Sequence, residues 1–334
     1  MSTDKSGRKR LVGKLATGII LVLVMVYATV FSDFLPNIEQ NNEEIETSTS
    51  ELSEEQNLEG ELLLTMIDVG QADSFFLKQG EHTLLIDCGT RSTGSDVVEY
   101  LKNQGITKID YVFGTHPHED HMGGMYDVIT NFEIGKIILP KVEAGEVTTN
   151  WYMKLMNEIA TGNYTLEYVE LGAIYQFGDA TIKVIGPIEK PSGNLNNYST
   201  VLKVTFGEMD VIMTGDAEKD VEAAILKSNE NIEAEILKVG HHGSDTSSST
   251  DFLDAINPQY ALISTKVGNK YNHPTKETML NLQERNITVY RTDECGTVIA
   301  TITQNSVTFQ TKPGDYLSGI ELEERGQKWK VLQQ

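Results

Sequence analysis

The sequence predicts an α/β fold in which two β-sheets pack face to face and helices cover their outer surfaces. Beyond Gly60, short runs typical of strands alternate with runs of helical periodicity. The strand candidates fall into two groups with helices interspersed, which is the pattern of a sheet-on-sheet core. The 334 residues are 39% hydrophobic and 23% charged. This composition excludes a collagenous, a disulfide-scaffold or a wholly disordered chain.

The elements can be predicted in chain order from apolar periodicity and turn residues. The first strands are short and closely spaced, which indicates antiparallel hairpins, and a further hairpin is expected over the turn at 207–210. Strands are predicted at 62–69, 74–77, 83–86, 111–113, 137–139, 166–171, 174–177, 181–185, 201–206, 211–213, 235–239, 260–264, 288–290, 298–303 and 307–310. Helices are predicted at 97–103, 125–131, 151–159, 220–226, 251–256 and 276–283.

The N-terminal 60 residues differ in composition from the rest. Residues 1–14 are basic, and 15–31 form an uncharged apolar run that is about 25 Å long as a helix, just enough to span a bilayer. We therefore predict a cytoplasmic N-terminus, a transmembrane signal anchor at 15–31 in the cell membrane and an extracellular body. A cleaved signal peptide is the alternative, and it also exports the body. Residues 32–60 carry nine acidic side chains and no Lys or Arg, which predicts a flexible linker.

The charge of the chain limits its partners. The net charge is −22, and residues 61–334 account for −17 of it. Such an acidic body lacks the basic surface of a protein that binds nucleic acid tightly and non-specifically. Lysines such as Lys238 and Lys270 could still hold a single strand. Cys88 and Cys295 could pair in an exported chain, but the apolar run around Cys88 fits a small buried side chain better.

Four candidate metal ligands lie within six residues, directly after the strand predicted at 111–113. They are His116, His118, Asp120 and His121. His116 and His118 are two residues apart in extended backbone, so they point the same way and can share one ion, while Asp120 and His121 can reach a second. Burying three imidazoles and a carboxylate with no ion to bind would be costly. The segment therefore predicts a metal site.

Further candidate ligands follow other predicted strands. Asp216 comes after the strand at 211–213 and is the candidate bridge between two ions, although an Asp that caps a turn is the alternative. His241 and His242 follow the strand at 235–239. We expect His242 to bind the second ion and His241 to act as an electrophilic or proton-donating neighbour. His273 is either a ligand or a supporting residue, and a helix start after Pro274 is the competing interpretation.

The combined motifs resemble those of the metallo-β-lactamase superfamily, and within it the hydrolase domain of ComEC-type DNA-internalisation proteins. The resemblance covers residues 61–303, and it predicts a hydrolase domain at 61–312 followed by a C-terminal extension at 313–334. The matching segments are Asp68-Val69-Gly70-Gln71-Ala72-Asp73, Leu85-Ile86-Asp87-Cys88-Gly89, His116-x-His118-x-Asp120-His121, Ser199-Thr200-Val201-Leu202, Thr214-Gly215-Asp216, His241-His242-Gly243-Ser244, Asn272-His273-Pro274 and Arg291-Thr292-Asp293.

The resemblance implies a four-layer αββα sandwich with one or two divalent ions, Zn²⁺ or Mn²⁺. It implies that His116, His118, Asp120, His121 and Asp216 are ligands. The superfamily often has another His between the metal cluster and the bridging Asp, where this chain has none and carries Asn197 and Ser199 instead. The residues implied to brace or complete the ligand set are Asp87, His273, Asn197, Ser199 and Asp68.

The predicted function is metal-assisted hydrolysis of a phosphodiester, with DNA or a cell-wall component as substrate. Ions would lower the pKa of bound water to about 7 and neutralise charge on the phosphate. Asp120 or Asp216 would orient the hydroxide, and His241 would stabilise or protonate the leaving oxygen. One alternative is a hydrolase of a lactone or lactam, which would use the same metals. Another is a non-catalytic DNA-uptake accessory or binding module.

Overall fold

The computed structural model describes residues 60–143, 145–188 and 193–332. The predicted signal anchor at 15–31 and nearly all of the predicted linker lie outside these ranges. Within them, no helix has the length and apolar character that a membrane span requires.

The first sheet has eight strands, in the order β15-β14-β1-β2-β3-β4-β5-β6. Its first three sequential strands form the antiparallel hairpins that the turn residues predict, whereas β3, β4, β5 and β6 are parallel. The strands are β1 (Leu62–Met66), β2 (Phe75–Gln79), β3 (His82–Ile86), β4 (Lys108–Phe113), β5 (Glu133–Leu139), β6 (Leu166–Tyr168), β14 (Val298–Ile302) and β15 (Val307–Phe309).

The second sheet has seven strands, in the order β13-β12-β11-β10-β9-β8-β7. The predicted hairpin joins β9 to β10 over Gly207, whose φ of 64° suits glycine, and β10 to β13 are parallel. The strands are β7 (Ile174–Phe177), β8 (Ala180–Gly186), β9 (Val201–Phe206), β10 (Met209–Met213), β11 (Ile236–Lys238), β12 (Tyr260–Ile263) and β13 (Thr288–Arg291).

Helices lie on the outer face of both sheets. The α-helices are α1 (Gly94–Asn103), α2 (Glu119–Met122), α3 (Met125–Asn131), α4 (Asn150–Thr161), α5 (Lys219–Lys227), α6 (Thr250–Ile256), α7 (Lys276–Glu284), α8 (Thr292–Cys295) and α9 (Gly319–Leu332). Apolar residues of α1, α3 and α4 pack on the first sheet, and those of α5, α6 and α7 pack on the second. All six predicted helices are present, with ends shifted by up to three residues.

The main core lies between the two sheets. Leu64, Phe75, Phe177, Phe206 and Ile236 are almost wholly buried there. Each such side chain contributes about 1.5–3 kcal/mol when it leaves water. With helices outside, the molecule has helix, sheet, sheet and helix layers, as predicted.

Two regions differ from the sequence interpretation. The segment at 313–334, which the sequence left uninterpreted, contains helix α9, and its Arg325 forms ion pairs with Glu294 and Asp315. Both cysteines are free thiols, so the possible disulfide between Cys88 and Cys295 is absent. Cys88 is instead the small buried side chain that its apolar run favours.

Parallel strands of both sheets end at one edge of the sandwich. From the first sheet, β3 leads into Asp87 and β4 leads into the segment 114–121. From the second, β10 leads into Asp216 and β11 into His241. The carboxyl ends of these strands therefore bring all the predicted ligands to a single edge.

Candidate metal centre

The loop after β4, which carries His116, His118, Asp120 and His121, is held against the loop after β3. Glycine is required at this contact, since a Cβ on Gly124 would lie 2.2 Å from the carbonyl oxygen of Cys88. The backbone N–H of Cys88 also donates to the carbonyl of His121 at 2.7 Å. The two glycines after His121 in the sequence therefore allow the ligand-bearing turn to pack on its support.

Asp87 fixes the orientation of His121. Its Oδ1 accepts the backbone N–H of Thr115 at 2.8 Å, and its Oδ2 accepts the Thr115 hydroxyl at 2.7 Å. Oδ2 is also 2.7 Å from Nδ1 of His121, and because a carboxylate only accepts, that nitrogen donates. Nε2 of His121 is then unprotonated when it binds a metal. Asp87 thus holds the loop that carries the candidate ligands.

Asp216 lies at the centre of the cluster. Gly215, with φ of 53°, turns the chain out of β10, and the Asp216 N–H donates to Oγ of Ser199 at 3.0 Å. Oδ1 of Asp216 is 3.2 Å from Nε2 of His121, and Oδ2 is 3.9 Å from Nε2 of His116. One carboxylate therefore faces imidazoles on two sides, as a bridging ligand would.

His241 and His242 diverge because both have left-handed backbone, with φ of 50° and 54°. His242 is buried, and its Nδ1 donates to the Ser264 carbonyl at 2.9 Å, which leaves Nε2 3.6 Å from Asp120 and 3.7 Å from Asp216. His241 is partly exposed, and its Nε2 is 3.5 Å from Oδ2 of Asp216. Of the two, His242 belongs to a group of potential ligands with Asp120, His121 and Asp216, and the division of the pair into a ligand and a neighbour stays a prediction.

The second metal position is the group Asp120, His121, Asp216 and His242, whose potential ligand atoms lie within 4.8 Å of one another. Three of its buried atoms, Nε2 of His121, Nε2 of His242 and Oδ1 of Asp216, have no hydrogen-bond partner. Unpaired buried polar atoms are costly, and a cation would satisfy all three. Imidazole and carboxylate suit a divalent transition metal, so the residues fit the ion that the fold family implies.

The first metal position, which stays a prediction, would be formed by His116 and His118 with the other side of Asp216. Nε2 of His116 and Nδ1 of His118 are 2.9 Å apart. Nδ1 of His116 lies 3.2 Å from Oγ of Ser199. Asn197 has a different role, because its Oδ1 accepts the backbone N–H of Glu218 at 3.2 Å. Of the two residues predicted in place of a third histidine, Ser199 therefore contacts His116, and Asn197 anchors the loop.

The cluster strongly perturbs its own ionisation. Burial alone would lower the pKa of His121, but the charges of Asp216 and Asp87 raise it well above its usual value. Burial opposes ionisation of Asp216 as well, yet His121 and His242 hold its pKa well below the usual range. Burial lowers the pKa of His116, and the neighbouring His121 adds to the shift. The pKa values of His116 and His121 are therefore shifted in opposite directions, while that of Asp216 is lowered.

Asp73 and Lys238 form a buried ion pair behind the centre, which the sequence analysis did not assign. Nζ of Lys238 is 2.7 Å from Oδ2 of Asp73, and both side chains are 1% exposed. Oδ1 of Asp73 is 3.4 Å from Nδ1 of His242. The expectation that Lys238 holds a nucleic-acid strand is wrong, because the side chain does not reach the surface. The available signal was a lysine inside the apolar run of β11.

The remaining predicted residues lie further out. His273 packs against His241, with ring centroids 5.5 Å apart, and burial lowers its pKa to about 4. Asp68 is exposed, and its carboxylate accepts the N–H of Gly70 in a turn. Lys270 is exposed, with Nζ 4.6 Å from the Tyr271 ring centroid, and its predicted contact with a nucleic-acid strand stays a prediction. Of these, only His273 touches a residue of the centre.

Comparison with known proteins identifies relatives. Residues 67–266 match the model of the family described as "Metallo-beta-lactamase superfamily". The chain is 32% identical over 258 residues to ComE operon protein 3 of Bacillus subtilis, covering 72% of this chain and 33% of that protein. It is 30% identical over 240 residues to Competence protein ComA of Neisseria gonorrhoeae, covering 71% and 32%. The chain thus spans about a third of the length of these relatives.

Solved structures show the same fold at low sequence identity. The metallo-beta-lactamase fold protein YhfI from Bacillus subtilis superposes with a TM-score of 0.51 at 13% identity, covering 72% of this chain and all of YhfI. CmlA, a diiron beta-hydroxylase from Streptomyces venezuelae, superposes with a TM-score of 0.50 at 16% identity, covering 73% and 54%. These similarities concern the fold alone.

Proposed function

Because the chain belongs to the metallo-beta-lactamase superfamily, we propose that it is a metal-dependent phosphodiesterase that cleaves DNA outside the cell membrane. The observation that carries the proposal is the second metal position, where three buried ligand atoms without partners face one another. The choice of DNA is supported by the resemblance of the motifs to those of ComEC-type DNA-internalisation proteins and by the relative named Competence protein ComA.

The chain's residues have distinct parts in this reaction. When bound, divalent ions lower the pKa of water to about 7 and neutralise charge on the scissile phosphate. Asp120, whose side chain is 30% exposed, faces both His242 and solvent, so it can orient the attacking water. His241 lies on the other side of Asp216, where a hydrogen bond of 3.1 Å to Thr246 fixes its ring. It is placed to stabilise the leaving oxygen.

The location outside the cell is part of the proposal. It is supported by the uncharged apolar run at 15–31 and the basic residues before it. The single predicted span would anchor the hydrolase to the membrane, with the acidic segment at 32–60 as spacer. Protease digestion of intact cells should remove the hydrolase while a cytoplasmic marker remains.

The direct test is hydrolysis of single-stranded DNA by the full-length chain in the presence of Mn²⁺ or Zn²⁺. We expect the metal to be required and Asp120→Ala to abolish cleavage. Glu119→Gln is a matched control, because Glu119 is adjacent in the motif but its carboxylate bonds Arg91 at 3.0 Å at the surface. This control should retain activity.

A small phosphodiester, bis-p-nitrophenyl phosphate, should be assayed in parallel. Cleavage of the small ester without cleavage of DNA would overturn DNA as the substrate and favour a cell-wall phosphodiester. Cleavage of neither, in a chain that binds metal, would contradict the phosphodiesterase and favour a lactone, a lactam or a binding role.

A further inference from the structure

The loop between β12 and α7 carries an exposed aromatic ring to the edge of the candidate centre. Tyr271 is 52% exposed, and its ring stacks on that of His273, with centroids 5.6 Å apart and planes 24° apart. The ring of His273 in turn packs against that of His241, whose Nε2 is 3.5 Å from Oδ2 of Asp216. Two ring contacts therefore join Tyr271 to a side chain of the centre.

Asn269 holds this loop in one shape from within. Its Oδ1 accepts the backbone N–H groups of Tyr271 at 3.1 Å and of His273 at 3.0 Å. Its Nδ2 donates to the carbonyls of Lys266 at 2.8 Å and of His273 at 2.6 Å. Asn272, between the two rings, has a φ of 62°, which Asn adopts more readily than most residues. The backbone that carries Tyr271 is thus fixed before any ligand arrives, although the side chain is open to solvent.

The segment that contains this loop is basic, although the chain as a whole is acidic. Residues 255–276 include three lysines and no Asp or Glu, whereas the whole chain has a net charge of −22. Lys266 and Lys270 are exposed, and the third lysine, Lys276, pairs with Glu321 at 2.9 Å. The loop therefore offers positive charge to a ligand at a place where most of the surface would repel an anion.

Positive charge and an aromatic ring meet at one point of the loop. Nζ of Lys270 lies 4.6 Å from the centroid of the Tyr271 ring, so a cationic group is within reach of a ligand that stacks there. A nucleobase stacks on an aromatic ring, and the phosphates of its strand attract lysine. In a duplex the neighbouring bases cover both faces of a base, whereas in a single strand a face can be free. The loop therefore fits an unpaired nucleotide better than a base pair.

We propose that Tyr271 is a stacking platform for a base of single-stranded DNA close to the scissile phosphate, while Lys270 pairs with a phosphate of the same strand. Every base has a face that can stack, so the platform selects single strands rather than a base sequence. This inference rests on the proposed function for the choice of DNA, and it adds the form in which the DNA reaches the centre.

Binding without metal or turnover tests the platform. Fluorescence anisotropy in EDTA at low salt measures the affinity of the full-length chain for a short oligothymidylate and for an abasic strand with the same number of phosphates. The wild type should bind the strand with bases about 5- to 100-fold more tightly, which is the range for stacking of a base on an aromatic ring. Tyr271→Leu, which keeps apolar area but lacks a ring, should bind the two strands equally. Tyr271→Phe should keep the preference.

Tyr168→Leu is the matched control, because Tyr168 is also exposed, at 46%, but lies on β6 at one end of the first sheet. It should keep the wild-type preference. Lys270→Ala should weaken the binding of both strands and lower its dependence on salt, since a phosphate contact is lost. The proposal is overturned if the wild type binds the two strands equally or binds neither, if Tyr271→Leu keeps the preference, or if Tyr168→Leu loses it equally. Thermal unfolding checks the fold of each variant.

The outcome is separable from that of the proposed function. A preference for bases that is lost in Tyr271→Leu, with no hydrolysis of any phosphodiester in Mn²⁺ or Zn²⁺, contradicts the phosphodiesterase alone. Hydrolysis of DNA by a chain that binds the abasic strand as tightly as the strand with bases contradicts the stacking platform alone.

Discussion

The two metal positions differ in how their ligands are held. In the second, His121 and His242 each donate from Nδ1 to a fixed oxygen, of Asp87 and of Ser264, so both rings are aimed before an ion arrives. In the first, His118 is only partly buried, and the support comes from a turn of small polar residues. Preorganised ligands bind more tightly. We therefore expect the second position to fill first.

A dense cluster of candidate ligands in the sequence therefore does not imply two metal positions whose ligands are held equally well. His116, His118, Asp120 and His121 lie within one short segment, yet they serve positions with unlike support. The residues that make the two positions different lie outside this segment: Asp87 after β3, Ser264 after β12 and Ser199 before β9. The following variants test this difference.

The largest effect should come from Asp216→Ala, since Asp216 faces both positions. Hydrolysis should fall by roughly a thousandfold or more, because the charge stabilisation that depends on both ions is lost. Metal analysis should find both ions weakened. Loss of only one ion would show that Asp216 does not bridge.

Lys238→Ala should be the next largest effect, on stability. It leaves the charge of Asp73 buried without its partner, which costs about 3–5 kcal/mol. Urea unfolding measures this cost. Lys238→Met combined with Asp73→Asn should recover part of it, since no unpaired charge remains. An equal loss in the double variant would mean that packing rather than charge is responsible.

Asp87→Asn should act mainly on the second position. Loss of such a supporting carboxylate lowers metal affinity by about 10–100-fold. Ser199→Ala provides the reciprocal test, because Ser199 contacts His116 and should weaken the first position more. Calorimetric titration with Zn²⁺ separates the two. Equal losses at both positions in both variants would refute their separate support.

The smallest effect should come from Glu119→Gln. Glu119 lies between two ligands in the sequence, but its ion pair with Arg91 is exposed. Pairs of this kind contribute about 0–1 kcal/mol. Urea unfolding and metal content should therefore stay close to wild type, and a lost ion would show that Glu119 supports the centre.

The sequence was informative where the physical signal is local. Apolar runs located the strands, and strand ends located His116, Asp216 and His242, because parallel strands deliver their carboxyl ends to one edge. The prediction for Lys238 is wrong because the sequence around a lysine in a short apolar run is the same whether the lysine contacts water or a buried aspartate.

The left-handed backbone at His241 and His242 sets the durability of the molecule against the presence of two imidazoles at this edge. Such a conformation costs an ordinary residue roughly 1–2 kcal/mol, while glycine adopts it freely. Selection for thermal stability alone would therefore replace His241 by glycine, gaining up to about 1 kcal/mol after the entropic penalty of glycine. Keeping the imidazole of His241 at the solvent-facing side of the candidate centre therefore costs durability.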